Sequence, residues 1–166
     1  MTRLGPADIG CWVVKTARPP DAVVPGWRPG GTHEVSRCLR PSYRLGLMRP
    51  GQPVLLWLSG RDRPGVHATG VLVGGLGTDE RGPVAVVRFT LLPAPLPRAD
   101  LLADPVARDA EVLRMPAGSN PSYLTPAQYA AVLDHLPQRG RAFQEELGRW
   151  VVCHGSGSPG APSPGC

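Results

Sequence analysis

The sequence predicts a small α+β domain built around a curled, mostly antiparallel sheet, and three observations carry that reading. First, 21 Gly and 21 Pro among 166 residues exclude a helical bundle, because Pro costs roughly 3 kcal/mol and Gly roughly 1 kcal/mol in a helix interior. Second, short β-rich runs recur between Gly and Pro breakers. Third, one strongly capped amphipathic helix stands late in the chain. At 166 residues and 17.6 kDa the chain predicts one domain with a single sizeable core, spanning residues 1–152, followed by a disordered Gly/Ser/Pro tail over 153–166.

In chain order, Gly10 to Lys15 (GCWVVK) reads as the first strand. Arg18 to Thr32, with Pro-Pro, Pro-Gly and Pro-Gly-Gly around Trp27, reads as a loop. Ser36 to Met48 places Leu39, Tyr43, Leu45 and Leu47 near helical spacing, and Pro41 limits it to one or two short turns. Pro53 to Ser59 (PVLLWLS) is the strongest strand and pairs as a hairpin with Val66 to Val73 through the turn Gly60 to Gly65. Gly74 to Gly82 is a loop, Pro83 to Leu92 another strand, Asp100 to Ala110 one or two helical turns, and Ala110 to Met115 a final short strand. Thr125-Pro-Ala-Gln128 is a capping box with Pro at the first helical position, opening a helix to about Leu136. Arg139 to Val152 predicts a terminal helix.

Charge is placed unevenly. Residues 1–63 hold 10 basic and 4 acidic side chains, whereas 64–166 hold 8 and 9. Val35 to Arg61 contains Arg37, Arg40, Arg44, Arg49 and Arg61 without one Asp or Glu, so a polyanion is the natural partner to consider. Lys15 is the sole Lys, and Ile and Asn also occur once each. That skew marks a GC-rich coding sequence, and the preference for Arg is therefore no sign of selection for bidentate contacts.

The remaining composition narrows the function. No apolar run approaches the roughly 18 residues of a membrane span, and Met1 to Gly10 lacks the basic-then-apolar order of a secretion signal, so a soluble cytoplasmic protein is expected. Cys11, Cys38, Cys153 and Cys166 form no C-x-x-C pair, which predicts idle reduced thiols and no metal. Ser59, Asp62 and His67 lie close in sequence, but Leu58-Ser59-Gly60 lacks a nucleophile elbow, and His67 reads as a strand residue. Gly74-Gly-Leu-Gly77 runs into Thr78-Asp-Glu80 and a strand, where no helix amino terminus could hold a phosphate. Asp100, Asp104 and Asp109 alternate with Pro and Arg as a solvated face. An enzyme, a metal and a cofactor are all unexpected.

Aromatic and polar groups do gather near strand ends: Trp12, Tyr43, Trp57 and Ser59. Aromatics on two neighbouring strands can sandwich a planar ring, with base stacking worth roughly 1–3 kcal/mol. The competing reading is that Trp12 and Trp57 are core.

The order Cys11-Trp-Val-Val-Lys15, Leu47-Met-Arg-Pro-Gly-Gln52, Val54 to Ser59, Val66 to Val73, and Asn120-Pro-Ser-Tyr-Leu-Thr-Pro126 opening a helix resembles the EVE domain of the PUA-like superfamily over roughly Gly10 to Leu136. The resemblance implies a PUA-like curled β-barrel with flanking helices, and a reader that takes a flipped or modified base, 5-methylcytosine-type bases in DNA foremost and RNA next, into an aromatic pocket. By position it implies a base pocket of Trp12, Lys15, Tyr43, Trp57, Ser59 and Asn120, with Arg37, Arg40 and Arg44 on phosphates. Gln52 stands where the family has Asp, Leu58 where it has His, and Arg37-Cys38 where it has Arg-Asn. The alternative on the same fold is a module for a free nucleobase-like ring or for a protein.

Overall fold

The computed structural model describes residues 3–137. It is an α+β domain with one six-stranded mixed sheet: β1 (Cys11–Thr16), β2 (Thr32–Cys38), β3 (Pro53–Leu58), β4 (Gly65–Asp79), β5 (Gly82–Pro97) and β6 (Ser122–Leu124), in the order β2-β5-β4-β3-β1-β6. Only β1 and β3 run parallel; the other neighbours are antiparallel, as the sequence predicted. A parallel pair needs a long crossover. Here residues 17–52 supply it and deposit β2 at the far edge of the sheet on the way.

Two apolar layers follow from strand alternation. One face buries Cys11, Val13, Leu55, Trp57, Val66 and Leu96 under the helical pieces α2 (Arg98–Ala103), α3 (Glu111–Arg114) and α4 (Pro126–His135), which contribute Leu101, Val112, Leu113 and Val132. The inner face of the curl buries Trp12, Val14, Val54, Leu56, Val87 and Phe89, closed by Trp27, Leu39 and Met48. Curvature comes from ladder irregularities beside Trp57, between Val66 and Ala68, and between Val73 and Gly77. At Gly70 a Cβ would lie 2.2 Å from the Arg88 carbonyl oxygen, so β4 and β5 meet there at a distance only glycine permits.

Several expectations hold. Thr125 Oγ1 accepts from the Gln128 N–H at 3.2 Å and Gln128 Oε1 accepts from the Thr125 N–H at 3.0 Å, forming the capping box of α4. His67 is a buried strand residue with its Nε2 2.8 Å from the Arg63 carbonyl oxygen. Cys11 is buried and Cys38 exposed, while Cys153 and Cys166 lie outside the described residues.

Other expectations are corrected. The sheet does not close into a barrel: among the described residues no ladder joins β2 to β6. Thr32 to Cys38 is an edge strand; only Val35 is buried, so its sequence carries almost no apolar alternation. Within the loop Arg18 to Thr32, Pro20–Val23 makes one helical turn, α1. The loop over Gly74 to Gly82 is instead hairpin, β4 running to Asp79 and β5 starting at Gly82. Strand β5 also continues through Pro93, Pro95 and Pro97, past the last backbone bonds on its β2 side, those of Leu91 with Gly30 and Gly31. Ala110 to Met115 is helical: adjacent Val112 and Leu113 both enter one core layer, which a strand forbids. The terminal helix over 139–152 and the tail over 153–166 lie outside the described residues. No helix among the described residues is long and apolar enough to cross a membrane.

Candidate functional site at the sheet seam

Strand β6 pairs only with Cys11, Trp12 and Val13, so the backbone of Lys15 on that edge of β1 has no strand neighbour. Side chains take its place. Asn120 Oδ1 accepts from the Lys15 N–H at 3.1 Å, and Arg37, on the opposite edge strand, donates to the Lys15 carbonyl oxygen at 3.2 Å. Asn120 Nδ2 donates to the Cys38 carbonyl oxygen at 3.2 Å, and the Arg40 N–H donates to the Asn120 carbonyl oxygen at 2.7 Å. The two sheet edges therefore meet at a seam clasped by Lys15, Arg37 and Asn120, and the Asn120-Pro121 peptide bond there is cis. The Lys15 ammonium donates to the carbonyl oxygens of Pro116 and Gly118 at 3.1 and 3.3 Å. Ser59 flanks the same strand ends, its N–H donating to the Thr16 carbonyl oxygen at 2.8 Å.

The seam is cationic. Among the charged groups acting on Lys15 and Arg37, Arg18, Arg40 and Arg44 are positive and Glu111 is the sole carboxylate among the described residues. Burial pulls the Lys15 ammonium below the ordinary lysine value; Glu111 opposes that shift, and Arg40 and Arg44 add to it. Burial likewise lowers Arg37. The guanidinium of Arg40 is exposed and has no ion-pair partner among the described residues.

Arg44 is differently placed. It grips Glu111 in a bidentate pair at 2.8 and 2.7 Å, and Ser122 Oγ donates to the same carboxylate at 2.6 Å. Burial pushes the Glu111 carboxyl up, but the bonds from Arg44 and Ser122 outweigh it and hold the group below its ordinary value. The Arg44 guanidinium lies 5.3 Å from the Tyr123 ring centre, and an open groove of about 490 Å³, lined by Glu111, Arg114, Met115 and Tyr123 among others, adjoins the pair. Sequence reasoning missed Glu111 and Ser122. No local pattern links Arg44 to a carboxylate 67 positions away.

The aromatic sandwich does not form. Lys15 pairs with Trp57 and Trp12 with Val54, so alternation sends the two indoles to opposite faces of the sheet. Both are core, Trp12 at 0% and Trp57 at 3% exposure. The Trp12 indole N–H donates to Gln52 Oε1 at 2.7 Å, an acceptor that a carboxylate at that position would also supply. Tyr43 is exposed, but Arg3 lies 4.5 Å over its ring and its hydroxyl accepts from the Leu4 N–H. The structure thus brings together Lys15, Ser59, Asn120, Arg37 and Arg40 and engages Arg44 with Glu111; Trp57 stands opposite Lys15 but is buried in the core, Trp12 lies on the other face, and Tyr43 is taken up by Arg3 and Arg44.

No protein-family model and no curated protein matches the sequence. Solved structures share its fold. A hypothetical protein from Leishmania major superposes with a TM-score of 0.54 at 17% identity, covering 84% of this chain and 96% of that one. A Pseudomonas putida protein gives 0.55 at 14% identity over 75% and 98%, and Rpa0253 from Rhodopseudomonas palustris gives 0.55 at 15% over 76% and 92%. Human THYN1, solved in complex with 5-methylcytosine-containing DNA, gives 0.48 at 15% identity, too low for that complex to bear on this chain.

Proposed function

We propose that this chain is a non-enzymatic nucleic-acid-binding module, an EVE-type domain of the PUA-like superfamily, that holds a phosphate backbone along the seam and takes a base, 5-methylcytosine-type in the finer reading, beside Ser59 and Lys15. The observation that carries the reading is the charge of the seam: Arg40 and Arg44 act on Lys15 and Arg18 acts on Arg37, while Glu111 is the carboxylate that acts on Lys15 and Arg44. A cluster of cations with few counter-charges draws an anionic polymer to it. The motif order from Trp12 to Pro126 supports the family assignment. With the indoles in the core, affinity rests on phosphate contacts and hydrogen bonds to the base edge rather than on a Trp sandwich.

Polarisation titrations with matched DNA and RNA oligonucleotides carrying unmodified, 5-methyl- or 5-hydroxymethylcytosine, at several salt concentrations, test this. Arg40→Ala is expected to weaken binding to every sequence alike and to reduce the log–log salt slope by about 0.7–0.9. Dependence on the modification supports the finer reading; salt-sensitive binding that ignores it leaves a nucleic-acid module without base reading. Binding of free nucleosides with no salt slope would replace the polymer by a small ring ligand.

A further inference from the structure

We propose that Glu111 is a built-in counter-charge that limits the affinity of the seam for an anionic polymer, by occupying Arg44 and offsetting the field of Lys15. The inference rests on the polyanion-binding reading of the seam. Its basis is geometric. Both Glu111 oxygens are committed to Arg44, at 2.7 and 2.8 Å, which is how a guanidinium would otherwise grip a phosphate. Ser122 fixes the carboxylate from a third direction at 2.6 Å. The pair is half-buried, 15% and 20% exposed at its side chains, and its Glu111 end lines an open groove that Asp109, Arg114 and Tyr123 also line. Glu111 acts on Lys15 with the opposite sign to Arg40 and Arg44. Carboxylate and phosphate therefore compete for the same cations, and the polymer binds against that competition.

Glu111→Gln is nearly isosteric and keeps one oxygen acceptor, which at the Oε2 position can still serve one Arg44 nitrogen and Ser122, while its amide nitrogen no longer accepts from the other Arg44 nitrogen. Removing one negative charge about 7 Å from a phosphate in water is expected to tighten binding of a short oligodeoxynucleotide on the order of threefold. Release of Arg44 to a phosphate would also steepen the salt slope by about 0.7. The double variant Arg44→Gln with Glu111→Gln, which restores the local net charge, should return to the wild-type affinity. Asp79→Asn, at the β4–β5 turn, makes the same change in net charge at a carboxylate that bonds the Arg81 N–H rather than a seam cation, and should gain less than Glu111→Gln. A structural role alone cannot produce a gain that the second substitution cancels.

Unchanged or weaker binding by a cooperatively melting Glu111→Gln protein overturns the inference. If that variant does not fold, comparison of Arg44→Gln with the double variant carries the test, and failure of the double variant to bind more tightly than Arg44→Gln overturns it. Retention on immobilised heparin separates the two readings. Wild-type protein that ignores oligonucleotides, while Glu111→Gln elutes from heparin at higher salt than Asp79→Asn, overturns the nucleic-acid reading and supports the counter-charge.

Discussion

Trp57 shows how far residue identity reaches and where it stops. Its position at a strand end suggested a stacking surface, but which face an indole takes depends on strand register, and register depends on pairing partners distant in sequence. The parallel pairing of β1 with β3 places Trp57 opposite Lys15 and three residues out of step with Trp12, so the two rings turn away from each other. Trp57→Ala is therefore expected to cost about 3–5 kcal/mol of stability, read from urea melts, while the folded fraction keeps its oligonucleotide affinity. Gln52 was legible only as a departure from a family pattern. Its physical role, holding the Trp12 indole N–H and the Arg49 N–H on one oxygen, appears only once the turn folds over the strand.

At the scale of elements, legibility follows the strength of local rules. Helix α4 was readable because its capping box is written within four consecutive residues. Strands β3 and β4 were readable from dense β-branched and apolar runs. Edge strand β2 buries only Val35, β6 is only three residues long, and α3 is too short to show a helical period. The turn after α2 carries a pH dependence. Asp104 accepts from the Ala107 N–H, from His135 and from the Val106 N–H, and these together lower its carboxyl to about 2. Because the folded value lies below the unfolded one, this contribution to stability is complete above about pH 4 and is lost as pH falls through about 2. Wild-type protein should lose stability across that window more steeply than Asp104→Asn, measured by urea midpoints at each pH. Glu111, also lowered, titrates on the same acid limb in both proteins.

For the whole molecule, Lys15, Arg37 and Asn120 sit together, and their hydrogen bonds hold two ends of one sheet. Such a closure was beyond sequence reasoning, since it joins positions 15, 37 and 120 through side chains. Asn120→Ala leaves the Lys15 N–H and Cys38 carbonyl without these partners, an expected loss of about 1–3 kcal/mol in thermal or urea unfolding. The clasp has a second consequence, for solubility. An unpaired strand border is a template on which another chain can add itself, and proteins blunt such borders with charge or cover. Here an amide and a guanidinium occupy the border of β1 just where β6 gives out, and they are too short and too polar to be extended by an incoming strand. The residues that clasp the cationic seam are thereby also what keeps one copy of this sheet from growing onto the next.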